Sequence, residues 1–394
     1  MSIQHFEHAG KLFGKTVLLR VDFNVPLKGK KVTDNYKIKK SLVTIKNLIE
    51  KGAKVVIVSH LGRPAGVEKK LSLKPVAEEL GKFLQKKIPL LGITDFAQTK
   101  VKINKLVPGS VVLLENIRFL KGESDSSDKL AKDLAGLADI FVLDGFAVAH
   151  RASASVSGVA KYLPSYAGSL LEEELRGLDM VLKSPKKPMT AILGGIKMET
   201  KIPVLKNFLK QADYILVGGG IVNTYLWAKG YKIGSSIIDK KFKKEILEYC
   251  SKKKVILPVD VIVGSADGKK ARAMSVKNLS LKSGESIFDI GPQSIMLFSK
   301  YIKKAKTIVW NGAMGNFEQH PYHYGTYSIS HLVASRSKRE AFGVVGGGET
   351  IEVLSKLSLL HDIDLASTGG GAMLEYLGGK KLPGVEALKK IIKF

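Results

Sequence analysis

The sequence predicts an α/β protein built from two parallel-sheet domains. Three observations predict it. Short apolar, β-branched runs recur along the whole chain, a helix-like stretch follows each, and ten of them are more than one sheet of this kind usually holds. In chain order the runs are TVLLRVD (16–22), KVVIVSH (54–60), VVLLEN (111–116), DIFVLDG (139–145), AILGG (191–195), YILVGGG (214–220), VILPVD (255–260), SIFDIGP (286–292), TIVWNG (307–312) and FGVVGGG (342–348). Continuous apolar strands, rather than alternating ones, indicate sheets covered on both faces. A chain of 394 residues is also long for one core, and suggests domains of about 150–200 residues. LPSYAGSLLEEELRGLDMVLKSPKKP (163–188) reads as a long helix between two turn signals, and the domain junction is placed there.

Composition narrows the class. Hydrophobic residues make up 45% and charged residues 25%, enough for a large core and against disorder. No run of about 18 apolar residues occurs, and the polar start lacks a signal-peptide core, so a soluble cytoplasmic protein with no membrane partner is expected. The single cysteine, Cys250, fits a reducing compartment. A net charge of +27 attracts anions, whether nucleic acid, phosphorylated metabolites or an acidic surface. Charge alone does not choose among them, and the 55 lysines serve equally well as a solvated surface. The eight arginines say more, because guanidinium forms a bidentate fork that ammonium cannot.

Four of them, Arg20, Arg63, Arg118 and Arg151, fall at or near the ends of apolar runs in the first half, where open parallel sheets place ligands. That pattern suggests a phosphate or carboxylate ligand. His60 and His150 stand close to two of these arginines. Asp22 and Asn24 either receive substrate hydroxyls or cap the turn after the strand. The second half supplies glycine clusters at GGIK (194–197), GGG (218–220), DIGP (289–292), GGGET (346–350) and STGGGA (367–372). Backbone amides at a glycine-rich helix start hold phosphate, although neither the P-loop nor the dinucleotide pattern is present. Lys197 and Lys201, four apart, would point the same way from one helical turn and cradle a transferring phosphate. No zinc-finger or RNP motif occurs and aromatics are only 7%, so no specific nucleic-acid partner is expected. An arginine-rich anion site in one half and a glycine-rich phosphate site in the other suit phosphoryl transfer.

The motifs RVDFNVPL (20–27), SHLGRP (59–64), LLENIRF (113–119), AHRAS (149–153), ILGGIK (192–197), LPVD (257–260), DIGP, VWNGAMGNFE (309–318), GGGET, STGGGA and LPGV (382–385) together, in order and over nearly the whole chain, resemble phosphoglycerate kinase. The resemblance implies two Rossmann-like three-layer domains joined by a hinge helix. These are a phosphoglycerate-binding domain (1–167), an interdomain helix (168–184), a nucleotide-binding domain (185–375) and a segment (376–394) that returns to the first domain. It implies reversible phosphoryl transfer from 1,3-bisphosphoglycerate to ADP by a hinge-bending monomer, with Mg²⁺ as cofactor. By position, Arg20, Asp22, Phe23, Asn24, Lys37, His60, Leu61, Gly62, Arg63, Arg118, His150 and Arg151 would meet the phosphoglycerate. Gly194, Gly195, Lys197, Lys201, Gly219, Gly291, Asn311, Glu318, Gly346, Gly347, Gly348, Glu349 and Thr350 would meet the adenine nucleotide, Glu349 also the metal. Lys37, Arg63, Arg151 and Lys201 carry the catalytic assignment.

Some positions depart from the family pattern. TDNYKI places Lys37 where the family has Arg; losing the fork should weaken transition-state stabilisation by roughly 1–3 kcal/mol. GGGE replaces GGGD, so Glu349 reaches one methylene further toward the metal. Ile196 and Ala313 replace a small residue and a proline in the adenine wall, and Ala147 and Val148 alter the approach to Arg151. The alternative is a catalytically weakened member that binds a ligand or nucleic acid.

Overall fold

A computed structural model describes residues 3–389. The chain forms two compact units, one running to Leu175 and completed by the chain from Lys381, the other Arg176–Lys380. The boundary falls inside a helix, described below.

The first unit is organised by a six-stranded parallel sheet. Its strands are β1 (Thr16–Arg20), β2 (Lys54–Val58), β3 (Leu90–Leu91), β4 (Val111–Leu114), β5 (Ile140–Leu143) and β6 (Ser165–Ala167), in the spatial order β3-β4-β2-β1-β5-β6. The central strands are buried along their length, as continuous apolar runs require when helices cover both faces. Helix α1 (Tyr36–Glu50) buries Ile38, Ser41, Thr44, Ile45 and Leu48, a spacing of three and four that makes one stripe. Helix α2 (Ser169–Lys183) carries the chain from one unit into the other. Its start is capped from the sheet. Asp144, just past β5, accepts the Leu170 N–H at 2.9 Å and the Thr44 hydroxyl at 2.9 Å, while Thr44 Oγ1 accepts the Ser169 N–H. Burial pushes the Asp144 carboxyl up to about 7.

The second unit repeats the scheme with β7 (Met189–Leu193), β8 (Tyr214–Val217), β9 (Val255–Ile256), β10 (Thr307–Asn311), β11 (Phe342–Gly346) and β12 (Leu365–Ala366). Their order is β9-β8-β7-β10-β11-β12, all parallel. The winding reverses between β7 and β10, and a crevice opens there at the strand ends. Helix α3 (Met198–Gln211) follows β7, α4 (Gly219–Ala228) follows β8, and α5 (Gly348–Lys356) follows β11.

Two sequence expectations are corrected. The run SIFDIGP is not part of a parallel sheet: Ser286–Ile290 pairs antiparallel with Asp260–Gly264 in a separate three-stranded sheet. Its buried alternate residues, rather than a continuous run, mark a strand with one face less covered. The helix expected over 163–188 spans only Ser169–Lys183, because Ser165–Ala167 hydrogen-bonds to β5 as an edge strand. Of the returning segment 376–394, residues 390–394 lie outside the described residues. The short helix Pro383–Leu388 belongs to the first unit, where the Gly384 N–H donates to the Ala149 carbonyl at 2.8 Å. A side chain at Gly384 would run into Val156, Leu143 and Ala149.

Candidate functional site

In the first unit the ends of β1, β2, β4 and β5 gather the predicted anion-binding residues. Arg20, the last residue of β1, is buried. Its Nε donates to Ser155 Oγ at 2.8 Å, one terminal nitrogen donates to the Val21 carbonyl, and the other lies 3.4 Å from His60 Nδ1 and 3.9 Å from Glu123. Burial lowers the Arg20 pKa, with the Arg151 guanidinium adding to that effect and Glu123 and Asp22 opposing it. Asp22 is held by the Lys37 ammonium at 2.6 Å and by the Asn24 N–H at 3.1 Å. Burial pushes the Asp22 carboxyl up, but Lys37 and its other partners outweigh burial and hold it at about 2. Burial drives His60 well below the usual imidazole range, with Asp22 opposing it and Arg20, Arg118 and Lys37 adding to it. His60 is therefore neutral at pH 7, and its 3.7 Å approach to Asp22 is a polar contact rather than an ion pair.

Arg118 donates to the Gly62 carbonyl, and burial together with Arg151 and Arg20 lowers it to about 10. Two buried guanidinium groups, each lowered by burial and by the nearby Arg151, concentrate positive charge where an anion would relieve it. Arg63 and Arg151 are exposed, as is Asn24, whose Oδ1 accepts the Gly62 N–H at 2.9 Å; His150 is half-buried.

Two of the predicted contact residues are buried and bonded within the unit. Phe23 is buried in the core and its N–H is donated to Ser59 Oγ at 2.8 Å. Leu61 is buried and both its backbone groups are bound by Asn116: its N–H to Oδ1 at 3.2 Å, its carbonyl to Nδ2 at 2.8 Å. Asn116 was missed among the candidates. It also accepts the Arg118 N–H at 3.2 Å, so one buried amide fixes both the SHLGRP turn and the start of the Arg118 segment. An apparently ordinary Asn directly after a buried strand was its only sequence signal.

In the second unit a cavity of 280 Å³ opens at the reversal between β7 and β10, lined by Gly195, Ile196, Gly219, Ala313, Glu318 and Glu349 among others. Its floor and walls are mostly apolar, with Val222, Ile237, Phe288, Ile290, Met314 and Phe317. This suits a flat aromatic ring. Sequence reasoning found Ile196, Ala313 and Glu318 but not Phe288 or Met314, which look like ordinary core residues in the sequence. Asp289 was missed as well. It accepts the Gly325 N–H at 2.6 Å, and burial pushes its carboxyl up to about 8.

The glycine clusters divide into two kinds. The N–H groups of Gly194, Gly195 and Gly219 are already donated, to Asn311, Ala313 and Met314 at 3.0, 2.7 and 2.9 Å. These glycines allow close approach of two backbone segments. Gly312, at φ 92°, is the clearest case: a Cβ there would stand 2.4 Å from the Gly194 carbonyl oxygen. Gly291 likewise starts the helix Pro292–Lys304 packed on Asp260, rather than on the cavity wall. GGGET is of the other kind. Gly346 ends β11, Gly347 turns at φ 98°, and Gly348 and Glu349 open α5, whose first-turn amides have no intrahelical acceptor.

Lys197 and Lys201 do not share a helical turn, since α3 begins at Met198. Lys197 precedes it and is exposed, while Lys201 is buried. Its Nζ donates to Asn311 Oδ1 and lies 3.3 Å from the Asn311 carbonyl. Asn311 Nδ2 in turn donates to the Gly346 carbonyl at 2.8 Å. Burial lowers Lys201 to about 8, against the pull of Glu349. Glu349 is exposed, and its carboxylate turns toward the cavity to accept the Ala313 N–H at 3.4 Å. Thr350 is buried with its hydroxyl accepting the Gly312 N–H at 2.8 Å, a support for the turn.

A family model described as phosphoglycerate kinase matches residues 8–380. Curated relatives named phosphoglycerate kinase include one from Coxiella burnetii, 44% identical over 97% of both chains. Another, from Dictyoglomus turgidum, is 43% identical over 96% of both. Among solved structures, phosphoglycerate kinase from Coxiella burnetii matches with a TM-score of 0.85 at 40% identity, covering 98% of this chain and 99% of that one. The one from Pyrococcus horikoshii matches at 0.87 and 32% identity, covering 98% of each.

Proposed function

Because the chain belongs to the phosphoglycerate kinase family, and so transfers a phosphoryl group reversibly between 1,3-bisphosphoglycerate and ADP, we propose how its two units divide the work. The first unit takes the phosphoglycerate on Arg20, Asn24, Lys37, His60, Arg63, Arg118, His150 and Arg151. The second takes the adenine nucleotide in the cavity beside Phe288 and Met314, with Glu318 at the ribose and the phosphates between Lys201 and the amides of Gly347, Gly348 and Glu349. Helix α2 serves as the hinge, since in-line transfer needs the substrates brought together and water excluded. The single observation that carries this reading is the gathering of Arg20, Arg118 and neutral His60 at the strand ends, with Arg151 near enough to lower both buried guanidinium groups, a concentrated cationic charge suited to a small polyanion.

The attacking and leaving oxygens are already ionised, so no general base is required. Positioning and neutralisation of the charge on the moving phosphoryl remain. Arg63 and Arg151, both exposed, close on the acid; Lys201, protonated, meets the phosphoryl group. Among the described residues no cluster of three or more metal-ligating side chains occurs. A lone carboxylate, Glu349, is what Mg²⁺ asks of a protein when nucleotide phosphates and waters supply its other ligands. Bound there, the ion would neutralise phosphate charge.

No helix among the described residues is long and apolar enough to cross a membrane. Cys250 is buried, and burial pushes its thiol up to about 12, an unreactive group compatible with the cytoplasm. The monomeric state rests on the family resemblance alone. No observation favours the alternative of a weakened ligand-binding or nucleic-acid-binding member.

The test is a coupled assay of ATP consumption with 3-phosphoglycerate and Mg²⁺; turnover no greater than background would refute the reading. Two further outcomes are expected from the same assay. Lys201 titrates near 8 in the free protein, and its charged form is the one that holds phosphate. Therefore kcat/KM for MgATP should be flat below that pH and decline above it, as read in a pH profile. Lys37→Arg should raise kcat by about tenfold, the size of one charge-assisted bond regained. Since Lys37 is committed to Asp22 at 2.6 Å, an unchanged kcat would mean that this pair already supplies what the fork would add.

A further inference from the structure

Behind the arginines of the first unit lies a buried carboxylate that no assignment above uses. Glu123, in the segment KGES, is 4% exposed. One oxygen accepts the Ser153 hydroxyl at 2.9 Å and the Ser155 hydroxyl at 2.6 Å; the other accepts the Ser155 N–H at 2.9 Å. Its own carbonyl accepts the Ala154 N–H at 3.1 Å. Three consecutive residues just after Arg151 are thus fixed by Glu123. Ser155 then passes the restraint on, because its Oγ accepts the Arg20 Nε at 2.8 Å. Arg20 itself stands 3.9 Å from the Glu123 carboxylate.

The backbone around this carboxylate needs the help. Ala154–Gly158 forms one wide π-type turn, and the N–H groups of Val156, Ser157 and Gly158 all converge on the Ser153 carbonyl, at 3.1, 3.0 and 3.1 Å. Such turns are uncommon and gather at functional sites. Here the turn leaves the Ser155 N–H without a backbone acceptor, and the Glu123 carboxylate supplies it.

We propose that Glu123 is a positioning residue of the phosphoglycerate site: its carboxylate holds the Arg20 guanidinium and the turn that follows His150 and Arg151 in the register that receives the anionic substrate. The proposal rests on the assignment of phosphoglycerate to this unit. It also runs against simple electrostatics. A negative charge near an anion site repels the ligand, so removing it would tighten binding if charge were its only effect. Positioning demands the reverse.

The experiment measures 3-phosphoglycerate binding by isothermal titration with Glu123→Gln and, separately, Ser155→Ala, which leaves every charge in place. Glu123→Gln should weaken binding by at least about tenfold, as small displacements of catalytic groups do, and Ser155→Ala should weaken it by severalfold. KM for MgATP should not move, a split that a general loss of folding would not produce. Circular dichroism at the assay temperature checks that each variant is folded. Should Glu123→Gln not fold, Ser155→Ala decides alone. Unchanged or tighter 3-phosphoglycerate binding in the folded variants overturns the proposal. Arg151→Ala separates the two levels: if it too leaves binding unchanged, the substrate assignment itself has failed, whereas weak binding by Arg151→Ala beside normal binding by Glu123→Gln rejects Glu123 alone.

Discussion

Replacing Lys201 by Met should lower kcat by about 10²- to 10³-fold, the usual cost of removing a buried donor aimed at developing charge. Met keeps the apolar stem packed in α3 and deletes only the ammonium. The effect is large because the group is buried and its partners in the unliganded protein are neutral: the side-chain oxygen and carbonyl of Asn311. Burial keeps Lys201 near 8, so its charge is costly until phosphate oxygens arrive. Charge that is unpaired before reaction and paired during it favours the transition state selectively. KM for the nucleotide should change far less than kcat. A loss of kcat smaller than tenfold would show that Lys201 is a structural anchor for Asn311 and not a participant.

Arg20→Met should reduce the unfolding free energy by about 3–5 kcal/mol, the penalty for stranding one member of a buried ion pair. The stranded group is Glu123, which keeps its serine hydrogen bonds but loses the guanidinium 3.9 Å away. Urea denaturation followed by circular dichroism reads the change. The double variant Arg20→Met with Glu123→Gln should recover part of it, since neutralising both ends removes the uncompensated charge. A double variant less stable than Arg20→Met by the full cost of a second independent loss would show that the two groups are not coupled.

The architecture was legible because its signal is hydrophobic patterning. All ten apolar runs contain strand residues, and nine contribute to the two six-stranded parallel sheets. What patterning did not give were pieces too short to carry a pattern, such as Leu90–Leu91 and Leu365–Ala366, or those whose pairing direction depends on distant partners, such as Ser286–Ile290. The site was legible in its charges: Arg20, Arg118 and His60 come together, as do Lys201 and Glu349. It was less so in its glycines. Gly194, Gly195 and Gly219 look identical in sequence to Gly347 and Gly348, yet only the hydrogen-bond partners tell a glycine bonded to a neighbouring segment from one that opens a helix. Asn116, Phe288 and Glu123 escaped notice for a related reason, because supporting residues act through contacts made across long stretches of sequence.

The docking of Gly384 on Ala149 makes the first unit discontinuous along the chain. Val156 and Leu143 gain a packing neighbour only from a segment that follows the whole second unit. Consolidating this corner of the core therefore requires closure of a very long loop, which places it among the slower contacts to form in refolding.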